Sequence, residues 1–330
     1  MNRCEAVRAL LVVAAAVEPL GTFAQSRPGK VARVGVLDVI SRASSPSYEE
    51  RLHYDAFEKL GWIEGKNIVF DYRFADGQPS ELPRLAAELV QLNPDVLLVP
   101  QNLEAEAALR ATRTIPIVVM AALDPVGAGL AQSIAHPGAS VTGLLWSDAR
   151  LAAKSVQLLL EMVPTVRRLG QFYDPNSLGV ETYIEAAKGA AGAAHLEVRS
   201  YAIRDSKDLA AALSMIEKER VDAIRVGASG VVSMGISTIL TFAAKHRLPT
   251  ICLIPRQVER GGLLSYSPSL TDIADRLAAI VDKILRGVKP GDIPFEYPTR
   301  LELTINLKTA NALGIKVPQS ILVRADRLIE

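Results

Sequence analysis

The chain has 330 residues, with 37 lysines and arginines against 36 aspartates and glutamates, 4 histidines, 2 cysteines, and 49% hydrophobic but only 5% aromatic residues. A net charge of +1 gives no basic field to hold a phosphate backbone, so nucleic acid is not an expected partner, and the apolar content is that of a folding chain. Two cysteines make no disulfide scaffold, histidines at 53, 136, 195 and 246 have no metal-ligand spacing, and the length suits two domains of about 100–200 residues each.

Residues 1–24 read as a secretory signal peptide. Arg3 and Arg8 precede an apolar run over 9–17, the helix breakers Pro19 and Gly21 follow, and Thr22-Phe23-Ala24 offers a cleavage site after Ala24. An N-terminal anchor or a frayed helix is the alternative, with Glu5 and Glu18 as the imperfections, although the run is too short to span a bilayer. Cys4 lies ahead of the run, the wrong place for a lipoprotein cysteine, and Cys252, inside the apolar run 250–254, reads as a buried small hydrophobe.

From residue 30, apolar β-branched runs alternate with helical periodicity. Residues 31–37 are apolar without strict alternation, the pattern of a parallel strand covered on both faces. Ser47 and Glu50 have the spacing of a capping box, and Leu52, Ala56, Phe57 and Leu60 form a helical stripe ended by Gly61. Strand 68–74, helix 80–92, strand 96–99, helix 103–112 and strand 115–120 follow. Asp124 and Pro125 then supply an N-cap and an N1 proline for a helix to about residue 135, and strand 141–145 completes a first set. The second set has helices 149–162, 179–194, 207–220 and 234–246, with strands at 169–173, 197–203, 223–226, 250–253 and 263–266. Helix 271–286 carries Ile273, Leu277, Val281 and Ile284 on one face and ends at Gly287. The tail, 293–330, is rich in strand formers and holds a short helix over 307–313, between Asn306 and Gly314. This alternation predicts an α/β protein of two doubly wound, parallel-sheet lobes with right-handed crossovers.

In open parallel sheets, ligands sit outside the carboxyl ends of the strands. The loops at those ends are rich in Ser, Asn, Gln and Asp, which makes Ser41, Gln101, Asn102, Asp124, Asn176 and Ser229 candidate ligand-binding residues, with Tyr173 and Tyr266 beside them. The same residue types cap helices and close turns, and Asp124 reads first as a cap. The two tyrosines serve either to stack on a flat solute or to pack a lobe. Arg256 follows a strand and reads as a surface arginine, with a carboxylate clamp as the alternative.

Catalytic signatures are missing. Gly227-Ala228-Ser229-Gly230 has Val231 where a nucleophile elbow requires glycine, and Gly35-Val36-Leu37-Asp38-Val39 after the first strand is not a dinucleotide fingerprint. Gly127-Ala128-Gly129 lacks a third glycine, no Walker motif occurs, and no carboxylates are marked by their context as an acid/base pair. No catalytic residue, metal site or cofactor is therefore expected.

The segment 57–67 (Phe-Glu-Lys-Leu-Gly-Trp-Ile-Glu-Gly-Lys-Asn) and Thr114-Ile115-Pro116-Ile117-Val118 carry a resemblance, sharpened by Asp124-Pro125-Val126-Gly127-Ala128-Gly129-Leu130 and by His136-Pro137-Gly138-Ala139-Ser140-Val141-Thr142-Gly143. The strongest part is at the end: Gly261-Gly262-Leu263-Leu264-Ser265-Tyr266, Asp282-Lys283-Ile284-Leu285-Arg286-Gly287-Val288-Lys289-Pro290 and Ile305-Asn306-Leu307-Lys308-Thr309-Ala310. Over essentially the whole chain past the leader it resembles ABC-transporter solute-binding proteins, the uncharacterised-substrate group related to tryptophan- and other amino-acid-binding proteins of the type 1 periplasmic-binding fold.

The resemblance implies two lobes joined by a hinge that close on a small solute, an amino acid or small organic molecule, and present it to a membrane permease and its ATPase. It places Asn102, Asp124 and Pro125 at the cleft. It implies an N-terminal lobe over 30–145, with helix 268–290 packing back on it, a C-terminal lobe over 146–266, and a crossover and tail over 291–330. The chain would cross between lobes near 145–149, 254–266 and 295–300. Many relatives are lipoproteins; with no cysteine after the apolar run, a freely diffusing periplasmic form is expected here. His136 stands where an arginine is common in the family. The competing reading is an enzyme on a related two-lobe fold, with Asp124, Ser229 or Arg256 doing chemistry. A ligand-responsive regulator would need a DNA-binding module ahead of Val31, where the apolar leader sits.

Overall fold

A computed structural model describes residues 30–42, 54–146, 149–177, 180–227 and 229–330. The leader and the capping box at Ser47 and Glu50 lie outside the described residues. In chain order the elements are β1 (Ala32–Asp38), β2 (Ile68–Phe74), α1 (Leu82–Gln91), β3 (Val96–Val99), α2 (Asn102–Ala111), β4 (Ile117–Ala122), β5 (Val141–Leu145) and α3 (Ala149–Met162). They continue as β6 (Arg168–Tyr173), α4 (Val180–Ala193), β7 (Glu197–Ala202), α5 (Ser206–Lys218), β8 (Ala223–Arg225), α6 (Gly230–Met234) and α7 (Ile236–Lys245). The remainder is β9 (Thr250–Cys252), α8 (Pro255–Glu259), β10 (Leu264–Pro268), α9 (Leu270–Leu285), β11 (Leu301–Asn306), α10 (Leu307–Leu313), α11 (Gln319–Leu322) and β12 (Arg327–Ile329).

The first sheet has the order β2-β1-β3-β4-β5, with every pairing parallel. Its apolar runs do not alternate because both faces are covered. Leu97, Val99, Ile117 and Val119 pack with α1 and α2, while Val96, Leu98 and Val118 face Ile273, Leu277 and Val281 of α9. The second sheet runs β12-β11-β10-β9-β8-β6-β7. Without its last two strands it has the winding of the first, since β7-β6-β8-β9-β10 repeats β2-β1-β3-β4-β5 in chain sequence.

Four departures from the sequence expectations have physical causes. The sheets are parallel except for β10 and β11, which are antiparallel. After α9 the chain returns along the edge of the first sheet, where Glu296 bridges to Leu144 and accepts the Leu145 N–H at 2.9 Å, so β11 enters the second sheet from the opposite end. The crossing into α9 falls at 268–270 and not within 254–266, because Leu264–Pro268 is itself a strand. The helix expected over 124–135 is a single turn: the Ala128 N–H donates to the Asp124 carbonyl at 2.9 Å, and Gly129, at φ 71°, turns the chain out of helical geometry.

The helix expected over 234–246 is two, α6 and α7, meeting at Gly235. A Cβ there would stand 2.5 Å from Leu209 Cδ2, so the break lets α5 pack closely. The short helix of the tail follows its cap chemistry. The Asn306 side chain accepts the Thr309 N–H at the start of α10, and Gly314, at φ 73°, ends it. Cys252 is fully buried, and burial pushes its thiol up to about 12, as befits a core residue.

Candidate binding site

Strand order reverses between β1 and β3 in the first sheet and between β6 and β8 in the second. Loops leaving adjacent strands there diverge, and a crevice opens beyond the carboxyl ends. A cavity and an adjoining recess lie at these crevices. A cavity of about 190 Å³ is lined by Asp38, Gln101 and Glu104 from the first sheet's loops and by Gly230, Ser233 and Arg256 from the second's. A recess of about 30 Å³ adjoins it, sharing Gln101, Ala121 and Trp146 and lined on its far side by Tyr173, Asp174 and Ser229. The sum is below the ~300–1,000 Å³ of sites for drug-sized molecules, and so suits a small metabolite.

Each first strand ends in the same device. Asp38 closes β1, and its Oδ1 accepts the Ile40 N–H at 3.1 Å; Asp174 follows β6, and its Oδ1 accepts the Asn176 N–H at 2.9 Å. Burial raises the Asp174 carboxyl above its ordinary value, opposed by the bonds from Asn176 and the attraction of Arg204.

The first crevice then adds a second carboxylate. Glu104 sits in the first turn of α2, 2% exposed, with Oε1 accepting the Val39 N–H at 3.3 Å and Oε2 buried without a hydrogen-bond partner. Burial, and then the charge of Asp38, push its carboxyl up to about 8 against the pull of the backbone N–H groups of Glu104, Val39 and Gln101.

The walls of this end are aromatic. Tyr72 and Phe74 extend from β2 as stacked rings 5.9 Å apart, and the Arg42 guanidinium lies 5.2 Å and 5.4 Å from the two centroids. Trp146, where the chain leaves β5 for the second sheet, lines the cavity, the recess and a small hollow beside Arg225 and Tyr266.

On the second side, buried Gln257 accepts the Leu253 N–H at 3.0 Å and donates to the Gly227 carbonyl at 3.0 Å, locking the ends of β8 and β9 together and placing neighbouring Arg256 at the cavity wall. Ser229 Oγ accepts the Val232 N–H at 3.4 Å and caps α6. The two sides meet closely: a Cβ on Gly230 would lie 2.1 Å from Val39 Cγ1, and one on Gly77 would lie 2.3 Å from Met234 Cε.

Of the sequence candidates, Gln101, Tyr173 and Ser229 come together at the cavity and its recess, while Tyr266 lines the neighbouring hollow. Ser41, Asn102, Asp124, Pro125 and Asn176 line none of these three spaces. Asn102 is buried and ties two loops, its amide donating to the Leu123 carbonyl and accepting the Leu123 N–H at 3.1 Å. Asp124 is exposed, at φ 38°, and accepts the Gly127 N–H at 3.0 Å; the Pro125 carbonyl accepts from Leu130 at 2.8 Å.

Asp38, Glu104, Tyr72, Phe74 and Trp146 also line the cavity and are not marked by polar loop composition. Asp38 was within reach of sequence reasoning, as the last residue of a strand at a reversal of strand order; Glu104 looks like any acidic residue in a first helical turn. Arg256 lines the cavity, partly buried, and is not the surface arginine expected. Among the described residues no group of His, Cys, Asp and Glu is arranged to hold a metal ion, and no helix is long and apolar enough to cross a membrane.

Two sheets of one winding, facing each other across a shared cavity at their reversal points, define a ligand-binding protein of the type 1 periplasmic-binding fold. The chain belongs to the ABC transporter substrate binding protein family, whose model matches residues 33–329. It is 25% identical over 261 residues to a tyrosine-binding protein of Clostridioides difficile, covering 79% of this chain and 75% of that one. Its fold matches a conserved domain protein of Vibrio cholerae with a TM-score of 0.84 at 30% identity, covering 91% of this chain and all of that one. It also matches an ABC domain of Streptococcus pneumonia in complex with L-Trp, with a TM-score of 0.82 at 26% identity, covering 90% and 99% of the two chains.

Proposed function

We propose that the protein is the solute-binding component of an ABC importer, exported through its leader to the periplasm, where it closes two lobes on a small solute and delivers it to a membrane permease and its ATPase. The carrying observation is the cavity with its adjoining recess, lined by Asp38, Gln101 and Glu104 from the first sheet's loops and by Tyr173, Asp174, Ser229 and Arg256 from the second's. A ligand held by both sides stabilises the closed arrangement by its differential affinity for it. The lobes are proposed to be residues 30–145, with helix 268–290 packed on them, and residues 146–266, the segment 291–330 serving as crossover and tail. Binding, not turnover, is the activity.

Amino acids with aromatic side chains are the first class to test. Two similar proteins carry tyrosine or L-Trp in their descriptions, and Tyr72, Phe74 and Trp146 wall this cavity. Thermal-shift screening of the protein against the amino acids and small organic acids is the direct experiment. A ligand present at a hundred times its Kd stabilises the fold by about 2.7 kcal/mol, a readily measured shift. Stabilisation by no small solute, together with measurable turnover of one, would overturn the reading. Export predicts a processed protein whose first residue is Gln25, read by N-terminal sequencing.

A further inference from the structure

Among the described residues lining the cavity, one has a buried polar atom without a hydrogen-bond partner. Glu104 is 2% exposed, its Oε2 has no hydrogen-bond partner, and it lines the cavity beside Asp38. A buried carboxyl oxygen without a donor is unfavourable by itself, and such groups in native folds call for a specific partner. Desolvation and the neighbouring carboxylate both oppose its ionisation. What relieves both at once is a positive charge bearing N–H donors, placed where Glu104 and Asp38 converge. An anionic group at this end would be repelled by Asp38 and would leave Oε2 unmatched. Among the residues lining the cavity the cationic one, Arg256, comes from the opposite sheet, while Arg42 lies over the Tyr72 and Phe74 rings at the Glu104 end.

We infer that Glu104 is the specificity-determining acceptor for a protonated amine on the ligand, with Asp38 completing the charge match and Tyr72, Phe74 and Trp146 holding the ligand's apolar part. The inference rests on the cavity being the ligand site. The titratable groups lining the cavity are Asp38, Tyr72, Glu104 and Arg256, and among them Glu104 is the carboxyl pushed up to about 8. An ammonium arriving there replaces a proton: Glu104 ionises, the proton leaves to solvent, and the net charge of the pair with its ligand is conserved. Amine binding therefore tightens as pH rises toward 8, by at most about tenfold per pH unit for one linked proton.

Three matched probes separate the possibilities: tyramine carries only the amine, L-tyrosine the amine and a carboxylate, and 3-(4-hydroxyphenyl)propionate only the carboxylate. Calorimetric titration in buffers of different ionisation enthalpy, at about pH 6 and about pH 8, reads affinity and proton release together. The expected result is binding of the two amines with release of about one proton near pH 6, and binding of the amine-free acid at least about tenfold weaker. Glu104→Gln should weaken both amines by at least about tenfold, remove the proton release, and leave the acid nearly unchanged.

The wild-type proton count needs no variant, so a misfolded Glu104→Gln protein would not hide the answer. The acid binding as tightly as the amines, or amine binding without proton release, would overturn this inference and leave the ligand-binding reading standing. Binding of none of the three would also overturn this inference, and the solute-binding reading would then rest on the wider screen of amino acids and small organic acids.

Discussion

The crevices at the ends of β1 and β6 are built alike and charged differently. Both open at a reversal of strand order, and in both an aspartate folds back onto the N–H two residues on. After the next parallel strand they diverge. The first crevice receives buried Glu104, from the first turn of a ten-residue helix, whereas the second receives Ser229, a hydroxyl that caps the five-residue α6. One winding supplies two equivalent positions; the residues placed there make the first side a charged receptor and leave the second to contribute short helices, small residues and Arg256. The fold thus sets where the cavity opens, and under the proposed binding mode a few side chains decide which end of a ligand goes where.

The charge difference is the first thing to break. Glu104 rises from 4.5 to about 8 on folding, so the folded state holds a proton that the unfolded chain releases. Stability is fully present below about pH 4.5 and is lost as pH rises to about 8, by an amount on the order of a few kcal/mol. Urea unfolding at about pH 5 and about pH 8 should show this slope in the wild type and flatten it in Glu104→Gln. A variant as steep as the wild type would locate the titration elsewhere and erase the contrast between the crevices.

Asn102→Ala tests the scaffolding of the first crevice. It strips the Leu123 N–H and carbonyl of the side chain that pairs them, and should cost about 1–3 kcal/mol in urea unfolding. A neutral result would mean that the loop after β4 holds itself.

Gly230→Val tests the contact between the two sides. Its Cβ would overlap Val39 Cγ1, and overpacking of this kind costs about 1–3 kcal/mol in whichever arrangement makes the contact. If the two sides must approach to hold a ligand, solute affinity falls about tenfold or more while the denaturation midpoint stays put. Lost stability with intact affinity would make the contact part of an ordinary core.

The smallest effect is expected on the second side. Ser229→Ala removes a long, 3.4 Å capping bond from a short helix and should lower stability by less than about 1 kcal/mol. A large loss of binding in that variant would show that the hydroxyl meets the ligand, and would make the crevices more alike than their charges imply.

The architecture was largely legible in the sequence, because β-branched runs between capped helices signal themselves over a few residues. Strands 68–74, 96–99 and 141–145 fall where periodicity put them, and Asn306 and Gly314 bracket α10. The failures lie where local signals compete with distant ones. Asp124-Pro125 opens a turn that Gly129 stops at once, and Gly235 divides a helix for the sake of packing against Leu209.

The site was only partly legible. Polar loop composition led to Gln101, Tyr173 and Ser229, but it weighted Asn102 and Asp124, which work on the backbone. Asp38 and Glu104 are 66 positions apart and meet only once β1 and β3 are neighbours, so no spacing rule could pair them.

The late position of α9 also sets an order of assembly. The face of the first sheet that carries Val34, Leu98, Val118 and Leu144 is covered by a helix beginning at Leu270, more than a hundred residues after β5. Until that helix emerges from the ribosome, that face of the amino-terminal half is covered only in part, by Ala56 and Phe57, and contacts of such long sequence separation form slowly. If the chain is exported as proposed, this late completion of the first sheet would keep its amino-terminal half open until synthesis is nearly complete.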